Sequence, residues 1–356
     1  MNNNYSIIMA GGIGSRFWPM STADKPKQFL DVLGIGKTLI QMTFERLLAV
    51  SPAENIYIVT NTDYKDIVLA QLPLLKPEQV LTEPQRKNTA PCIAYAASKI
   101  HAINPNAHLI ISPADHLIVN TENFASTIQA ALESSEKSRI ATIGIQPTRP
   151  DTGYGYIEFE TSGKPQPNQI IPVKQFREKP DLATAESFLA AGNFYWNSGI
   201  FIWKSSTVLD ALEQFQPALF NLFSSDLSFY NTPNEQAKVN HCFEVCEDIS
   251  IDFAVMEHAQ NIDVVLSNFD WSDLGTWGSL DTHLAKDQAN NAVVGDKVFT
   301  FDTQSCIINI PAGKTAVIDG LEGYIVIQSE DKLMILRKEN EQALKQYVAA
   351  VEKGSK

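Results

Sequence analysis

Met9-Ala10-Gly11-Gly12-Ile13-Gly14-Ser15-Arg16-Phe17-Trp18-Pro19 is the stretch whose residue types and spacing point most directly to chemistry. Three glycines in four positions let the backbone turn sharply and approach a ligand. Successive N–H groups in such a turn form a concave anion site. Arg16 adds a planar fork of donors matched to phosphate oxygens. Lys27, in Pro26-Lys27-Gln28-Phe29, adds a second, more mobile positive charge. Together these parts suit a polyphosphate. Two other phosphate loops are excluded. A dinucleotide loop needs G-x-G-x-x-G opening directly into a helix, but Phe17 stands in place of the third glycine, and Pro19 and Pro26 oppose an immediate regular helix. A Walker loop needs G-x-x-x-x-G-K-[ST]. Gly36-Lys37-Thr38 supplies its tail, but Asp31 occupies the place of its first glycine.

Other stretches carry suitable groups with more than one reading. Asp115 follows the apolar run from His108 to Ala114, at the carboxyl end of a buried strand, where open α/β sheets bind ligands. A lone aspartate there is a turn former; beside a phosphate loop it suits magnesium, which takes oxygen donors together with substrate phosphates. Glu83-Pro84-Gln85-Arg86-Lys87-Asn88-Thr89-Ala90-Pro91 is either a helix entry capped by Asn88 or Thr89, or a set of amides for the edge of a purine beside a phosphate-favouring helix N-terminus. Gly153-Tyr154-Gly155 is a β-turn under aromatic cover, or a place where backbone lies against a small ligand. Glu178-Lys179 is a surface pair, or an acceptor for sugar hydroxyls beside a cation for a sugar phosphate. Asn197 offers donor and acceptor together, as a pair of pyranose hydroxyls requires. In Trp271-Ser272-Asp273-Leu274-Gly275, either Ser272 or Asp273 is a helix cap, or Asp273 is a second acidic ligand. His116 reads as a structural or supporting group rather than a base.

The run from Gly11 to Ser21 followed by Pro26-Lys27-Gln28-Phe29-Leu30 resembles the signature of sugar-nucleotide pyrophosphorylases, and its Trp-Pro and Pro-Lys-Gln-Phe pieces resemble that of mannose-1-phosphate guanylyltransferases. Phe17 and Met20 depart from the leucines common there, both apolar exchanges. The later motifs agree, so the resemblance covers most of the chain. It implies a GTP-dependent nucleotidyltransferase that makes GDP-mannose from mannose 1-phosphate. It implies catalytic roles for Arg16, Lys27, Asp115, Lys179 and Asp273. The nucleotide set is then Ala10, Gly11, Gly12, Gly14, Ser15, Arg16, Lys27, Glu83, Pro84, Asn88, Thr89, Pro113 and Asp115. The sugar-phosphate set is Gly155, Glu178, Lys179, Asn197 and Asp273. The resemblance also implies that Asp115 and Asp273 share one Mg2+. The nucleophile is already an anion, so no general base is required, and catalysis rests on positioning and charge neutralisation. Some relatives carry a further isomerase domain; this is expected to be a short form without it, and without isomerase activity. The alternatives are a nucleotidyltransferase for another sugar 1-phosphate or base, and a catalytically silent sugar-nucleotide-binding subunit. The presence of Arg16, Lys27, Asp115 and Asp273 argues against the silent form.

The elements that must hold these groups follow from periodicity. Ser6–Ala10, Ile56–Thr60 and His108–Ile111 read as strands, alternating with helices at Thr38–Leu48, Asp63–Leu72 and onward from Thr89 to Ile100. The expected fold is α/β, with a Rossmann-like mixed, mostly parallel sheet of the nucleotide-diphospho-sugar transferase type. Leu209–Phe223 and Ser250–Glu257 read as helices, and polar Ser224–Lys238 as a mobile insertion. From Asn291 onward short β-rich pieces between glycines indicate a small domain, which the resemblance makes a left-handed β-helix, closed by a helix at Gln342–Val351. The expected domains are 1–285, catalytic, and 286–356, β-helix-like and the route to a homodimer.

Composition sets the outer bounds. A chain of 356 residues suits one large and one small domain. A net charge of -13 disfavours a nucleic-acid or anionic membrane surface. The amino terminus, Met1-Asn2-Asn3-Asn4-Tyr5, has no cleavable apolar core, no run is long enough to span a bilayer, and four scattered cysteines suit a reduced, cytoplasmic setting. Cys242 and Cys246 with His241 and His258 lack zinc-site spacing. Asp115 and Asp273 are expected to repel, so that removing either leaves the fold intact or slightly more stable.

Overall fold

The computed structural model describes residues 3–12, 14–160, 163 and 165–354; Met1, Asn2 and Ile13 of the stretches read above lie outside the described residues. The chain forms two compact units. The first comprises Met1–Gly11, Thr43–Ala114 and Ile118–Trp271. It holds β1 (Asn4–Met9), β2 (Ile56–Asn61), β3 (Val80–Glu83), β4 (His108–Pro113), β5 (Ile140–Ile145), β6 (Tyr156–Phe159), β7 (Ile170–Arg177), β8 (Phe194–Lys204) and β9 (Ile262–Leu266). These form one sheet in the order β3-β2-β1-β4-β8-β5-β9-β7-β6, with β6 also pairing β8.

β1 to β4 run parallel, because Lys65–Gln71 and Thr89–Ile103 supply helical crossovers. Their near-continuous apolar sequences reflect burial on both faces; every residue of β2 is buried. The sheet as a whole is mixed rather than mostly parallel. Four of its pairings are parallel and five antiparallel. The reason lies in the second half of this unit: residues 160–169 are too few for a crossover, so β6 and β7 pair as a hairpin, and the long β8 runs against β4, β5 and β6.

Three local expectations are corrected. Leu209–Phe223 is two helices, Ser205–Phe215 and Pro217–Phe223, because the residue before a proline is driven out of helical geometry; Gln216 has φ -136 and ψ 59. Ser250–Glu257 contains a π-turn at Asp252–Met256 instead of a regular helix. Ser224–Lys238 is pinned rather than mobile. The Lys99 ammonium lies 2.6 Å from the buried Glu235 carboxylate, the Tyr95 hydroxyl and Asn231 N–H also donate to it, and Tyr230 is buried. A buried charge pair with its lone pairs satisfied fixes the segment that carries it.

The second unit comprises Gly12–Met42, Asp115–Leu117 and Ser272–Lys356. Its strands are β10 (Ala292–Val294), β11 (Val298–Phe301), β12 (Ile307–Asn309), β13 (Ala316–Asp319), β14 (Tyr324–Ser329) and β15 (Lys332–Arg337). β10, β12 and β14 stack in parallel, with Val293 opposite Ile308 and Ile308 opposite Val326. β11 and β13 form a second parallel ladder, and β15 closes antiparallel on β14. One core joins Phe17, Leu30 and Leu39 to Leu274 and Trp277, and these to Ile307, Ile325, Leu336 and Leu344. The flanks of the glycine loop, the Trp-Ser-Asp turn and the β-rich tail therefore exclude water together. Loss of any one layer would expose the others.

Candidate active site

The second unit gathers Gly12, Gly14, Ser15, Arg16, Lys27, Asp115 and Asp273. Gly14 has φ 63, and a Cβ there would lie 2.5 Å from the Lys27 Cβ. Glycine is required at that position so that the loop can pass the lysine. Lys27 is only 4% exposed. Its Nζ lies 2.8 Å from Asp115 Oδ2 and donates to the carbonyl oxygens of Asp273 at 2.7 Å and Leu274 at 3.2 Å. Leu274 has φ 46, a strained setting for a branched side chain. Burial pushes the Asp115 carboxyl up, but the Lys27 charge and hydrogen bond, with His116 beside it, bring it below the ordinary carboxylate range.

Asp273 does not cap the following helix. Its Oδ1 accepts from Gly275 N–H at 3.0 Å, while Thr276 caps Trp277–Asp281 by accepting from Ser279 N–H. Asp115, Asp273, Arg16 and Lys27 line one cavity of about 290 Å3. Among the described residues no group of three or more acidic, histidine or cysteine side chains is arranged to hold a metal by itself. Two carboxylates facing one cavity nevertheless fit a hard divalent cation that completes its shell with substrate oxygens.

The first unit holds the rest of the expected nucleotide set. Ala10 N–H donates to the Val59 carbonyl at 2.8 Å, and the Ala10 carbonyl accepts from the Thr60 hydroxyl at 3.0 Å. The Gly11 carbonyl accepts from Arg86 Nε at 3.0 Å. Glu83 ends β3, 4% exposed, with Oε1 lacking any hydrogen-bond partner. A Cβ on Gly11 would stand 3.6 Å from its Oε2, so the carboxyl lies against the loop backbone. Burial pushes Glu83 up to about 8, against the opposing Cys92 hydrogen bond and Arg86 charge. Pro84 bends the chain after it. Asn88, at φ 64, caps Thr89–Ile103 by accepting from Thr89 N–H, and the Thr89 hydroxyl accepts from Ile251 N–H at 2.9 Å. Pro113 closes β4 opposite Met9.

Gly155, Glu178, Lys179 and Asn197 also meet in the first unit, whereas Asp273 of the same expected set belongs to the second. A Cβ on Gly155 would lie 2.6 Å from Glu178 Oε2, so a side chain there would push that carboxylate aside. Asn197 N–H donates to the Gly155 carbonyl at 2.8 Å. Glu178 and Lys179 form the ion pair that a surface reading expects, and they line an open cavity of about 860 Å3. Sequence reasoning missed Asp252. Asn197 Nδ2 donates to its Oδ1 at 2.8 Å, and burial, then the Glu178 carboxylate, pushes it up to about 6. Its signal was a lone acid in the apolar run Ile251 to Met256, on the π-turn that directs it.

A strand-borne glycine loop feeding paired cations and carboxylates defines a phosphoryl-transfer protein, and the chain belongs to the nucleotidyl transferase family, whose model matches residues 5–290. It is 37% identical to the alginate biosynthesis protein AlgA of Pseudomonas aeruginosa, over 96% of this chain and 71% of that protein. It is 33% identical to the mannose-1-phosphate guanylyltransferase of Escherichia coli, over 98% of this chain and 73% of that protein. A solved structure described as mannose-1-phosphate geranyltransferase, from Thermus thermophilus, superposes with a TM-score of 0.87 at 28% identity, covering 98% of this chain and 99% of that one.

The lysine between the two carboxylate segments overturns the expectation that both acids are dispensable for stability. Asp115→Asn leaves the buried Lys27 without its counter-charge and should cost about 2 kcal/mol. Asp273→Asn leaves the carbonyl that Lys27 uses in place and should cost less than about 0.5 kcal/mol. Denaturant melts in metal-free buffer at neutral pH measure the difference, and equal midpoints for the two variants would contradict this role of Lys27.

Proposed function

We propose that this enzyme transfers the guanylyl group of GTP to mannose 1-phosphate, giving GDP-mannose and pyrophosphate. The observation that carries the reading is the single cavity lined by Arg16, Lys27, Asp115 and Asp273. A phosphate oxygen of the sugar attacks the α-phosphorus in line. The bond to the β-phosphate breaks, and its electron pair leaves with pyrophosphate. Arg16 and the amides of Gly11, Gly12, Gly14 and Ser15 hold the β- and γ-phosphates. Lys27 neutralises charge that develops on the transferring group. Asp115 and Asp273 would hold a divalent cation, read as Mg2+, which supplies charge neutralisation at the phosphate oxygens.

Base choice rests on Glu83, Pro84, Asn88, Thr89 and Pro113, together with Ala10. A purine that presents two adjacent donors, as guanine does, suits the orphaned Glu83 oxygen; adenine presents an acceptor there. Sugar hydroxyls fall to Glu178, Asn197 and the close backbone at Gly155, with Lys179 on the sugar phosphate. The same reading makes 1–285 the catalytic segment and 286–356 a supporting tail, with the parallel ladders β10-β12-β14 and β11-β13 supporting a small left-handed β-helix. It sets the protein in the cytoplasm, in keeping with four free buried cysteines. Among the described residues no helix is long and apolar enough to cross a membrane.

The tail is also read as the homodimer interface. Phe299 and Val317 face each other across the β11–β13 ladder, with Phe301 on the same face, and Val317 is 68% exposed. Light scattering at micromolar concentration should give a dimer for the parent and a monomer for Phe299→Lys/Val317→Lys; a monomeric parent removes this part of the reading.

Substrate choice is tested by pyrophosphate release across nucleoside triphosphates and sugar 1-phosphates with magnesium. GTP with mannose 1-phosphate should exceed every other pair. Faster turnover of UTP or dTTP with glucose 1-phosphate would overturn the assignment. Asp115→Asn and Asp273→Asn should each reduce turnover of the preferred pair by at least about 100-fold.

A further inference from the structure

Lys345 stands outside every motif read from the sequence, on the helix Leu344–Gly354 near the end of the chain. It nevertheless lines the cavity that holds Arg16, Lys27, Asp115 and Asp273. Arg16 and Lys345 are the residues common to this cavity and a smaller one of about 100 Å3, whose walls include Thr276 and Glu341.

The tail is fastened at this point. Leu344, the residue before it, is buried in the core with Phe17, Leu274 and Trp277. Glu341 accepts from Gly278 N–H, and Lys338 Nζ donates to Asp281 Oδ2 at 2.9 Å. The segment Lys338–Ala343 that leads into the helix is thereby tied to Trp277–Asp281, shortly after the Asp273 turn. The Lys345 side chain is exposed, and its ammonium makes no hydrogen bond or ion pair among the described residues. An anchored backbone beside a long unpaired cation favours a ligand in the cavity over a structural role.

Charge gives the ligand its class. Three cations, Arg16, Lys27 and Lys345, face two carboxylates in this cavity. The Lys27 charge is already matched by Asp115 at 2.8 Å. Arg16 and Lys345 are left as the pair of cations for an incoming polyanion, on the two sides of the shared wall.

We propose that Lys345 is a phosphate-binding residue of the transfer reaction and, with Arg16, holds the two phosphates that leave as pyrophosphate. This rests on the nucleotidyl-transfer reading above. Its consequence is that the carboxyl-terminal helix is part of the active site, and that its docking assembles one wall of the pyrophosphate subsite.

The test is the reverse reaction, with inorganic pyrophosphate and GDP-mannose varied separately. Lys345→Gln should raise the KM for pyrophosphate by about tenfold and move the KM for GDP-mannose by less than about twofold. Lys345→Arg should restore the pyrophosphate KM to within about twofold of the parent, because it returns the charge. Calorimetric titration of the full-length protein with pyrophosphate should show the same loss and the same rescue. An unchanged pyrophosphate KM in Lys345→Gln, or an equal rise for both substrates, overturns the proposal. Pyrophosphate is common to every nucleotidyl transfer, so if another sugar nucleotide proves to be the substrate, the specificity reading fails while the test of Lys345 stands.

Discussion

A lysine buried to 4% exposure needs partners for its charge, and the placement of Lys27 constrains the second unit around it. One partner is the Asp115 carboxylate, just beyond the end of β4. The others are the carbonyls of Asp273 and Leu274, far from Lys27 along the chain. Those contacts bring together three segments that are distant in sequence. They require glycine at position 14, where any side chain would collide with the lysine, and they coincide with the strained backbone of Leu274. The same turn rests on Trp277, whose ring centroid is 4.8 Å from that of Phe17 under the glycine loop. Packing below the loop and charge beside it therefore fix one geometry.

The carboxyls of the two units divide by environment. Asp115, beside a cation, is held ionised. Glu83, enclosed and with one oxygen unpartnered, is pushed up to about 8 by burial. Asp252, between Asn197 and Glu178, lies near 6. Sequence alone offers three acids; burial and neighbours give them different capacities to accept, share or release a proton. An ionised acid suits a cation, and a buried acid with an orphaned oxygen suits a base edge that brings its own donors.

Much of this was legible in the sequence, because the signals were local. Glycines before Arg16, an aspartate after a core strand, and Asn88 before an alanine-rich helix each depend on neighbouring residues only. What the sequence left open was set by partners far along the chain. The repulsion expected between Asp115 and Asp273 gives way to a lysine that binds a carboxylate of one and a carbonyl of the other. The polar segment at 224–238 reads as mobile until Glu235 is seen buried against Lys99. Asp252 reads as one acid in an apolar helix until the π-turn and Asn197 give it a direction. The balance of parallel and antiparallel pairing also turned on connection length between β6 and β7, which a strand-by-strand reading does not weigh.

The Lys27 ammonium is engaged by Asp115 and two backbone carbonyls, and a phosphate oxygen needs no base to become a nucleophile. The proposed transfer is one direct displacement at the α-phosphorus, assisted by residues that position and neutralise. The stereochemistry of transfer tests this most directly. Guanosine 5′-(α-thio)triphosphate of a single configuration, reacted with mannose 1-phosphate, should give a GDP-mannose analogue with inverted configuration at phosphorus. Retention would mean two successive displacements through a guanylyl-enzyme, and would contradict the account.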